Sequence, residues 1–115
     1  MTITKIERDK NGHLHCENGP AYKDDTLEEW RIHGVLHRSD GGPALINSYG
    51  VTWFQHGLRH RINGPAVISR YGLFVNFWIS GLELGREEFE RHYMMIHLRE
   101  YDWFCNRDEI ESYYR

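Results

Sequence analysis

Eight histidines in 115 residues are the first feature of this chain that could do chemistry. His13 and His15 lie two apart, on one face of an extended strand, and His33/His37 and His56/His60 share a spacing of four. Imidazoles at short intervals are what a zinc site uses, normally about four ligands with nitrogens at about 2.0–2.1 Å. Corresponding histidines in successive hairpins would stand about two strand spacings, or about 10 Å, apart, too far to share one ion. No Cys or acid recurs beside them at a fixed interval. The histidines therefore read as structural, with His33 and His56 in turns and His15, His37 and His60 as hydrogen-bond donors beside a Gly-Pro turn. No metal or other cofactor is expected.

Catalytic groupings are equally sparse. His37 with Asp40 could form a base and its orienter, but no Ser or Cys nucleophile recurs with them. The adjacent acids Asp24-Asp25 and Glu28-Glu29 point apart on a strand, and no phosphate loop, nucleophile elbow or H-E-x-x-H is present. A catalytic constellation is singular, whereas these His and Arg recur. The reading is a non-enzyme. Nucleic-acid binding would rest on Arg38, Arg59, Arg61 and Arg70 near His and Trp. Yet residues 33–85 carry four basic and two acidic residues, far from a basic stripe.

What positions these residues is a repeat. All three Pro and all three Ala fall in one tripeptide used three times, Gly19-Pro20-Ala21, Gly42-Pro43-Ala44 and Gly64-Pro65-Ala66. His15, His37 and His60 precede it, a further Gly (Gly12, Gly34, Gly57, continued by Gly81) precedes each His, and Trp30, Trp53 and Trp78 follow. A period near 22 residues marks a repeat architecture. Asn11-Gly12 reads as a type I′ hairpin turn, with His33, His56 and Ser80 in the Asn place of later units. Stretches 27–32, 51–55 and 73–79 are β-like, 35–38 and 58–61 are returning strands, and Tyr49-Gly50 and Tyr71-Gly72 are further turns. Units this short bury an apolar face only by stacking.

From residue 86 the pattern changes. Residues 86–101 lack Pro and Gly, with Phe89, Tyr93, Ile96 and Leu98 near helical spacing and Glu87, Glu88 and Glu90 in the first turns. Residues 107–114 suggest a second short helix. A helix bearing Phe89, Tyr93, Ile96 and Trp103 could cover the end of the sheet. The expected fold is mainly β: a meander of short antiparallel hairpin repeats forming an open sheet, with a C-terminal α-helical cap. Residues 1–85 form the repeat module, three units plus a partial fourth, and 86–115 the helical segment of the same domain.

Charge and apolar patterning bound the function. The net charge is −3 and sixteen of the residues are aromatic, which excludes a histone-like protein and argues against disorder. The low Ala content disfavours a helical bundle. No run approaches a membrane span, and the first residues lack a signal peptide's apolar core, so the expected compartment is the cytoplasm. Cys16 and Cys105 could form one disulfide or stay as two thiols; a cytoplasmic setting favours thiols.

The pattern W…(N/H)G-x-x-H-R-x-(D/N)-G-P-A…(Y)G…W, carried best by His37-Arg38 with Gly42-Pro43-Ala44 and His60-Arg61 with Gly64-Pro65-Ala66, resembles small repeat proteins of bacteriophages and prophages. More distantly it resembles MORN-type repeats, through the period, the hairpin Gly and the aromatics. The likeness spans residues 8–85. The first unit departs from it, with Cys16 in place of Arg. The resemblance implies a β-repeat fold and a phage origin without an activity.

The functional expectation is a protein-binding module, a phage accessory protein that binds and inhibits a host protein such as a CRISPR or restriction component. Its contact surface is expected on the exposed central sheet (Arg38, Trp53, Arg59, Arg61) together with the acidic helix (Glu87, Glu90). His15, His37, His60, Pro20, Pro43, Pro65, Trp30, Trp53 and Trp78 are expected as the structural repeat positions. A nucleic-acid binder using the Arg/aromatic face is the first alternative, a His-based metal-dependent hydrolase the second. No membrane partner is expected, and the sheet edges could form a homodimer.

Overall fold

A hairpin closed by two residues needs left-handed backbone at both, and Gly with His, Asn or Asp tolerates it best. Three such turns organise this chain: His33-Gly34 (φ 47 and 84), His56-Gly57 (51 and 80) and Ser80-Gly81 (48 and 83). All three are the type I′ turns read from the sequence. The computed structural model describes residues 2–93 and 107–114. Its elements are β1 (Ile3–Ile6), β2 (Tyr22–Asp24), β3 (Glu28–Glu29), β4 (Arg31–Ile32), β5 (Val35–Leu36), β6 (Leu45–Asn47) and β7 (Gly50–Thr52). They continue as β8 (Phe54–Gln55), β9 (Leu58–Arg59), β10 (Val67–Ser69), β11 (Val75–Ile79), β12 (Leu82–Leu84), α1 (Arg86–Tyr93) and α2 (Arg107–Ser112).

The protein is mainly β, with antiparallel pairing throughout the described strands. One sheet runs β1-β2-β3-β6-β7-β10-β11-β12, and two small hairpins, β4–β5 and β8–β9, leave it. Each hairpin departs at a tryptophan. Trp30 donates its N–H to Ala44 in the sheet (2.8 Å) and its carbonyl accepts from His37 in the hairpin (3.0 Å); Trp53 does the same with Ala66 (2.8 Å) and His60 (3.1 Å). The stretches read as single strands, 27–32 and 51–55, are thus each split at their Trp. One half belongs to the sheet and the other to an arm.

Two expectations are corrected. In the first unit only Gly12 has positive φ (87), and the loop holds three residues between Asp9 and His13, closed by Asp9 N–H to His13 O (2.8 Å). The Asp9 carboxylate accepts from the N–H groups of Asn11 (2.9 Å) and His13 (3.0 Å). This local side-chain bonding competes with the two-residue turn and replaces it. Trp78 is one residue out of register. The position equivalent to Trp30 and Trp53 is Phe77, which pairs with Leu84 as they pair with His37 and His60. Trp78 instead corresponds to Arg31 and Phe54: their three carbonyls accept from Cys16 (3.1 Å), Arg38 (3.4 Å) and Arg61 (3.1 Å). Successive strand residues point to opposite faces, so this shift exchanges which aromatic looks inward; Phe77 is buried.

The Gly-Pro-Ala tripeptides lie inside. Ala21, Ala44 and Ala66 are fully buried, as are Pro43 and Pro65, while Pro20 is half-buried. Each Ala donates to the following strand (Glu29, Thr52 and Asn76 carbonyls, 2.8, 3.0 and 2.9 Å). Each also accepts from the preceding one (Glu7, Trp30 and Trp53, all 2.8 Å). A larger side chain would have to enter a strand already hydrogen-bonded on both sides. Beyond the sheet, Phe89 of α1 packs with Phe77, and Ile110 of α2 joins Ile46, Val51, Trp53, Ala66 and Ile68 in a second cluster. Glu87 and Glu88 occupy the first turn of α1, where the helix dipole favours them. Of the helix expected over 86–101, residues 94–101 with Ile96 and Leu98 lie outside the described residues, as do Trp103 and Cys105.

Replacing Ala44 with Leu overfills this interior. Urea denaturation of the variant should show an unfolding free energy lower by about 1–3 kcal/mol; an unchanged value would contradict the packing described.

Candidate partner-binding surface

A type I′ turn directs two peptide N–H groups away from its own hairpin, and their partners decide how the arms stack. The first is taken by a histidine ring of the preceding unit: His33 N–H donates to His15 Nδ1 (2.9 Å), His56 to His37 Nδ1 (3.0 Å) and Ser80 to His60 Nδ1 (2.9 Å). The second, from the Gly, goes to a carbonyl of that unit: Gly34 to Leu14 (2.7 Å), Gly57 to Leu36 (2.8 Å) and Gly81 to Arg59 (2.9 Å). The recurrent histidines are therefore acceptors, not the donors expected, because the group they meet is a turn N–H. A ring accepting at Nδ1 is neutral and carries its proton on Nε2. The rings also pack on the turn histidines, with centroids 4.1 Å apart for His15–His33 and 4.5 Å for His37–His56. Among the described residues no three His, Cys, Asp or Glu side chains converge to hold a metal.

The first turn satisfies itself. Besides the hydrogen bonds it accepts from two peptide N–H groups, the Asp9 carboxylate meets His33 Nδ1 at 2.7 Å and His13 Nδ1 at 3.5 Å, and the side chain is almost wholly covered. The His33 hydrogen bond, aided by the two peptide N–H bonds, lowers its pKa from 3.8 to about 2.

The arginines expected on an open face are braces. The Arg38 guanidinium lies 3.7 Å over Trp30, bonds Asp40 (2.7 Å) and reaches the Pro43 carbonyl (3.0 Å). Arg61 repeats this over Trp53 (3.8 Å), with Asn63 (3.1 Å), the Pro65 carbonyl (3.2 Å) and Glu109 of α2 (2.8 Å). A Cβ on Gly42 would stand 2.5 Å from the Arg38 guanidinium carbon, which explains the glycine before Pro43. The Arg38 and Arg61 side chains are 16% and 11% exposed and Trp53 is 3% exposed. The expected contact surface is corrected accordingly: of its four sheet residues only Arg59 is exposed, 5.0 Å from the Trp78 ring. Alternation along a strand shows which side a residue faces, not what covers that side. In the partial fourth unit Gly85 takes the Arg place, and Phe89 stacks on Phe77 instead (4.6 Å, 30°). Cys16 holds the Arg place in the first unit, its Sγ 3.5 Å from Lys5 Nζ. Glu87 is exposed, and Glu90 pairs with Arg86 (3.1 Å).

The most exposed large apolar side chains among the described residues lie at the opposite, loop edge. There Asp24, Asn47 and Ser69 occupy equivalent positions and cap their loops. Asp24 accepts from Thr26 (2.9 Å) and Leu27 (2.8 Å), Asn47 from Tyr49 (2.9 Å) and Gly50 (3.2 Å), and Ser69 from Phe74 (2.9 Å). The chain runs nine residues from Ala21 to Trp30 and from Ala44 to Trp53, but eleven from Ala66 to Phe77. The two extra residues lengthen the third loop, which exposes Leu73 (79%) and Phe74 (50%) beside Tyr71 (72%) and Tyr49 (85%). A bond from Arg70 N–H to the Tyr49 carbonyl (2.9 Å) ties the two loops together. Sequence reading placed Tyr49 and Tyr71 only as turn residues. The departure in length was the signal, since insertions in repeat arrays fall on loops of one face.

A second exposed row, Val35, Leu58 and Leu82, follows the turn glycines on the arms. These side chains are partly engaged by the next turn: a Cβ at Gly57 would lie 3.1 Å from Val35, and one at Gly81 3.2 Å from Leu58. No protein-family model, curated protein or solved structure matches the chain.

Burial, and then the neighbouring His56, holds the His37 imidazole below its ordinary 6.5. The unfolded chain then binds that proton more readily, so the stability is present above about pH 6.5 and lost as pH falls toward the lowered native value. Asp9 adds a second loss, between its ordinary 3.8 and about 2. Urea titrations should show stability falling below pH 6.5. His37→Ala should cost about 0.5–1.5 kcal/mol at pH 8 and flatten that dependence; equal slopes in the two proteins would contradict the acceptor role.

Proposed function

We propose that this protein is a non-enzymatic protein-binding module that engages its partner through the loop edge formed by Tyr49, Tyr71, Leu73 and Phe74. One observation carries the reading: four large apolar side chains stand half to almost fully exposed on loops whose backbones are fixed by Asn47 and Ser69. Aromatic side chains on preorganised backbone are the usual anchors of protein interfaces. The recurrent His, Trp and Arg, by contrast, are occupied in holding units together. The resemblance to phage repeat proteins makes a bacterial host protein, such as a defence factor, the proposed partner, and inhibition by occlusion the proposed effect.

We read the architecture as a MORN-like stack with helical ends. Support comes from the same hydrogen bonds recurring unit after unit, and from Phe89 and Ile110 packing where the sheet would otherwise expose Phe77 and Trp53. Nucleic-acid binding is the weaker reading, because Arg38 and Arg61 face Trp rings and turn carbonyls. Homodimerisation through the outer sheet strands, where Ile3, Ile6 and Leu82 are exposed, would show as a doubled mass of the purified chain in sedimentation.

The full chain, immobilised, should retain one host protein at stoichiometric, saturable levels. Tyr71→Ser with Phe74→Ser should weaken that retention at least about 30-fold, the loss of about 2 kcal/mol expected of anchor residues, with little change in thermal midpoint. Equal retention by wild type and variant, or salt-sensitive retention on DNA that Arg59→Ala removes, would overturn the proposal.

A further inference from the structure

Behind the loop edge lies a shallow cavity whose lining includes Leu27, Ile46, Ser48, Arg70 and Tyr114. Arg70 is unlike the other half-buried arginines of the repeat region. Arg31, Arg38 and Arg61 each bond a carboxylate together with a backbone carbonyl, and Arg38 and Arg61 stack on a Trp besides. Arg70 has the stacking without such acceptors among the described residues. Its guanidinium carbon lies 4.1 Å from the Tyr114 ring and 5.5 Å from that of Tyr71. Its Nε is buried with no hydrogen-bond partner, and no carboxylate pairs with it among the described residues. Tyr114 is itself fixed, its hydroxyl donating to the Asn47 carbonyl at 2.5 Å.

Stacking engages the faces of a guanidinium and leaves its in-plane donors to find acceptors of their own. A planar acceptor meets that fork best, and a carboxylate meets it with two parallel bonds. The acids at the cavity are already engaged: Asp24 by Tyr22, Thr26 and Leu27, Glu28 by Trp30 and Lys23, and Asp25 by the Thr2 N–H. Their negative charge still acts on any ligand, and it disfavours a dianion such as phosphate relative to a single carboxylate. Leu27 and Ile46 suit the apolar stem that carries such a group.

We propose that Arg70 is a carboxylate-binding site, and that its occupant is a Glu or Asp side chain of the partner bound at the loop edge. The partner assignment rests on the function proposed above; the carboxylate site does not. The expected contact is a two-point pairing with the Arg70 guanidinium beside Tyr71 and Tyr114. It would give the interface a charged anchor next to its aromatic ones and select partners with an acid beside an apolar residue.

The test uses the full chain and follows the Arg70 Nε–H resonance by NMR while titrating acetyl-glutamate methylamide, acetyl-glutamine methylamide or inorganic phosphate. The glutamate probe should shift that resonance saturably, with the glutamine probe and phosphate at least tenfold weaker. R70Q, with amide dispersion retained, should abolish the response of the neighbouring Tyr71 and Tyr114 signals, and R70K should weaken it. No saturable shift with the glutamate probe, or an equal response to the glutamine probe, would overturn the site. A stronger response to phosphate would overturn its assignment to a carboxylate. Failure of partner capture with a positive glutamate titration would leave this site standing and remove only its assigned occupant.

Discussion

The two peptide N–H groups that each type I′ turn projects from its hairpin set the terms for the rest of this protein. At the tip of a lone hairpin they would bond water. Here the preceding unit supplies both acceptors, one a backbone carbonyl and one the Nδ1 of His15, His37 or His60. The carbonyl comes with any strand; the second acceptor has to be a side chain of fixed reach, which explains why a His recurs before each Gly-Pro-Ala. The requirement ends where the array ends. Asp9 satisfies the first turn from within, and at the far end Leu84 stands where a His would serve a further turn.

A second constraint follows from the first. Holding the arms against one another brings Arg38 and Arg61 back over Trp30 and Trp53. Stacking of this kind contributes about 0.5–2 kcal/mol when partly desolvated, and the in-plane donors are satisfied by Asp40 or Asn63 and by prolyl carbonyls. The tripeptide that looked like turn punctuation is thus an interior joint. Gly42 leaves room for the guanidinium, Pro43 presents a carbonyl without needing an N–H partner, and Ala44 fits between two hydrogen-bonded strands. In the last round an aromatic from α1, Phe89, takes over the stacking that Arg provides earlier.

Much of this was legible in the residues. The recurrent Gly, His and Gly-Pro-Ala gave the unit, its antiparallel hairpins and three of its four turns, because those residue types have few alternative uses at that spacing. The start of α1 was legible from Gly85 followed by acids. What escaped were relations between units. Trp78 looked like the third Trp in a series, but the lengthened loop before it moves the register so that Phe77 takes the slot. Asn11-Gly12 has the composition of a type I′ turn, yet the Asp9 carboxylate two residues before Asn11 redirects it. Arg38 and Arg61 read as surface charge because burial by stacking leaves no mark on a single strand's alternation. The candidate surface was written in the sequence as an irregularity, the two additional residues between Ala66 and Phe77.

Repetition and the proposed binding surface therefore occupy different edges of the molecule. The arm edge carries the recurrent His and turn Gly and is committed to joining units, whereas the loop edge carries, beside Tyr49 and Tyr71, the insertion by which the units differ. The joining of the arms depends on the neutral, accepting state of the three histidines. Long-range 15N–1H NMR at pH 8 reads it directly. His15, His37 and His60 should each carry the proton on Nε2, with a scalar coupling across the hydrogen bond from Nδ1 to the peptide nitrogen of His33, His56 and Ser80. Histidines protonated at Nδ1, or averaged between tautomers without such couplings, would contradict it.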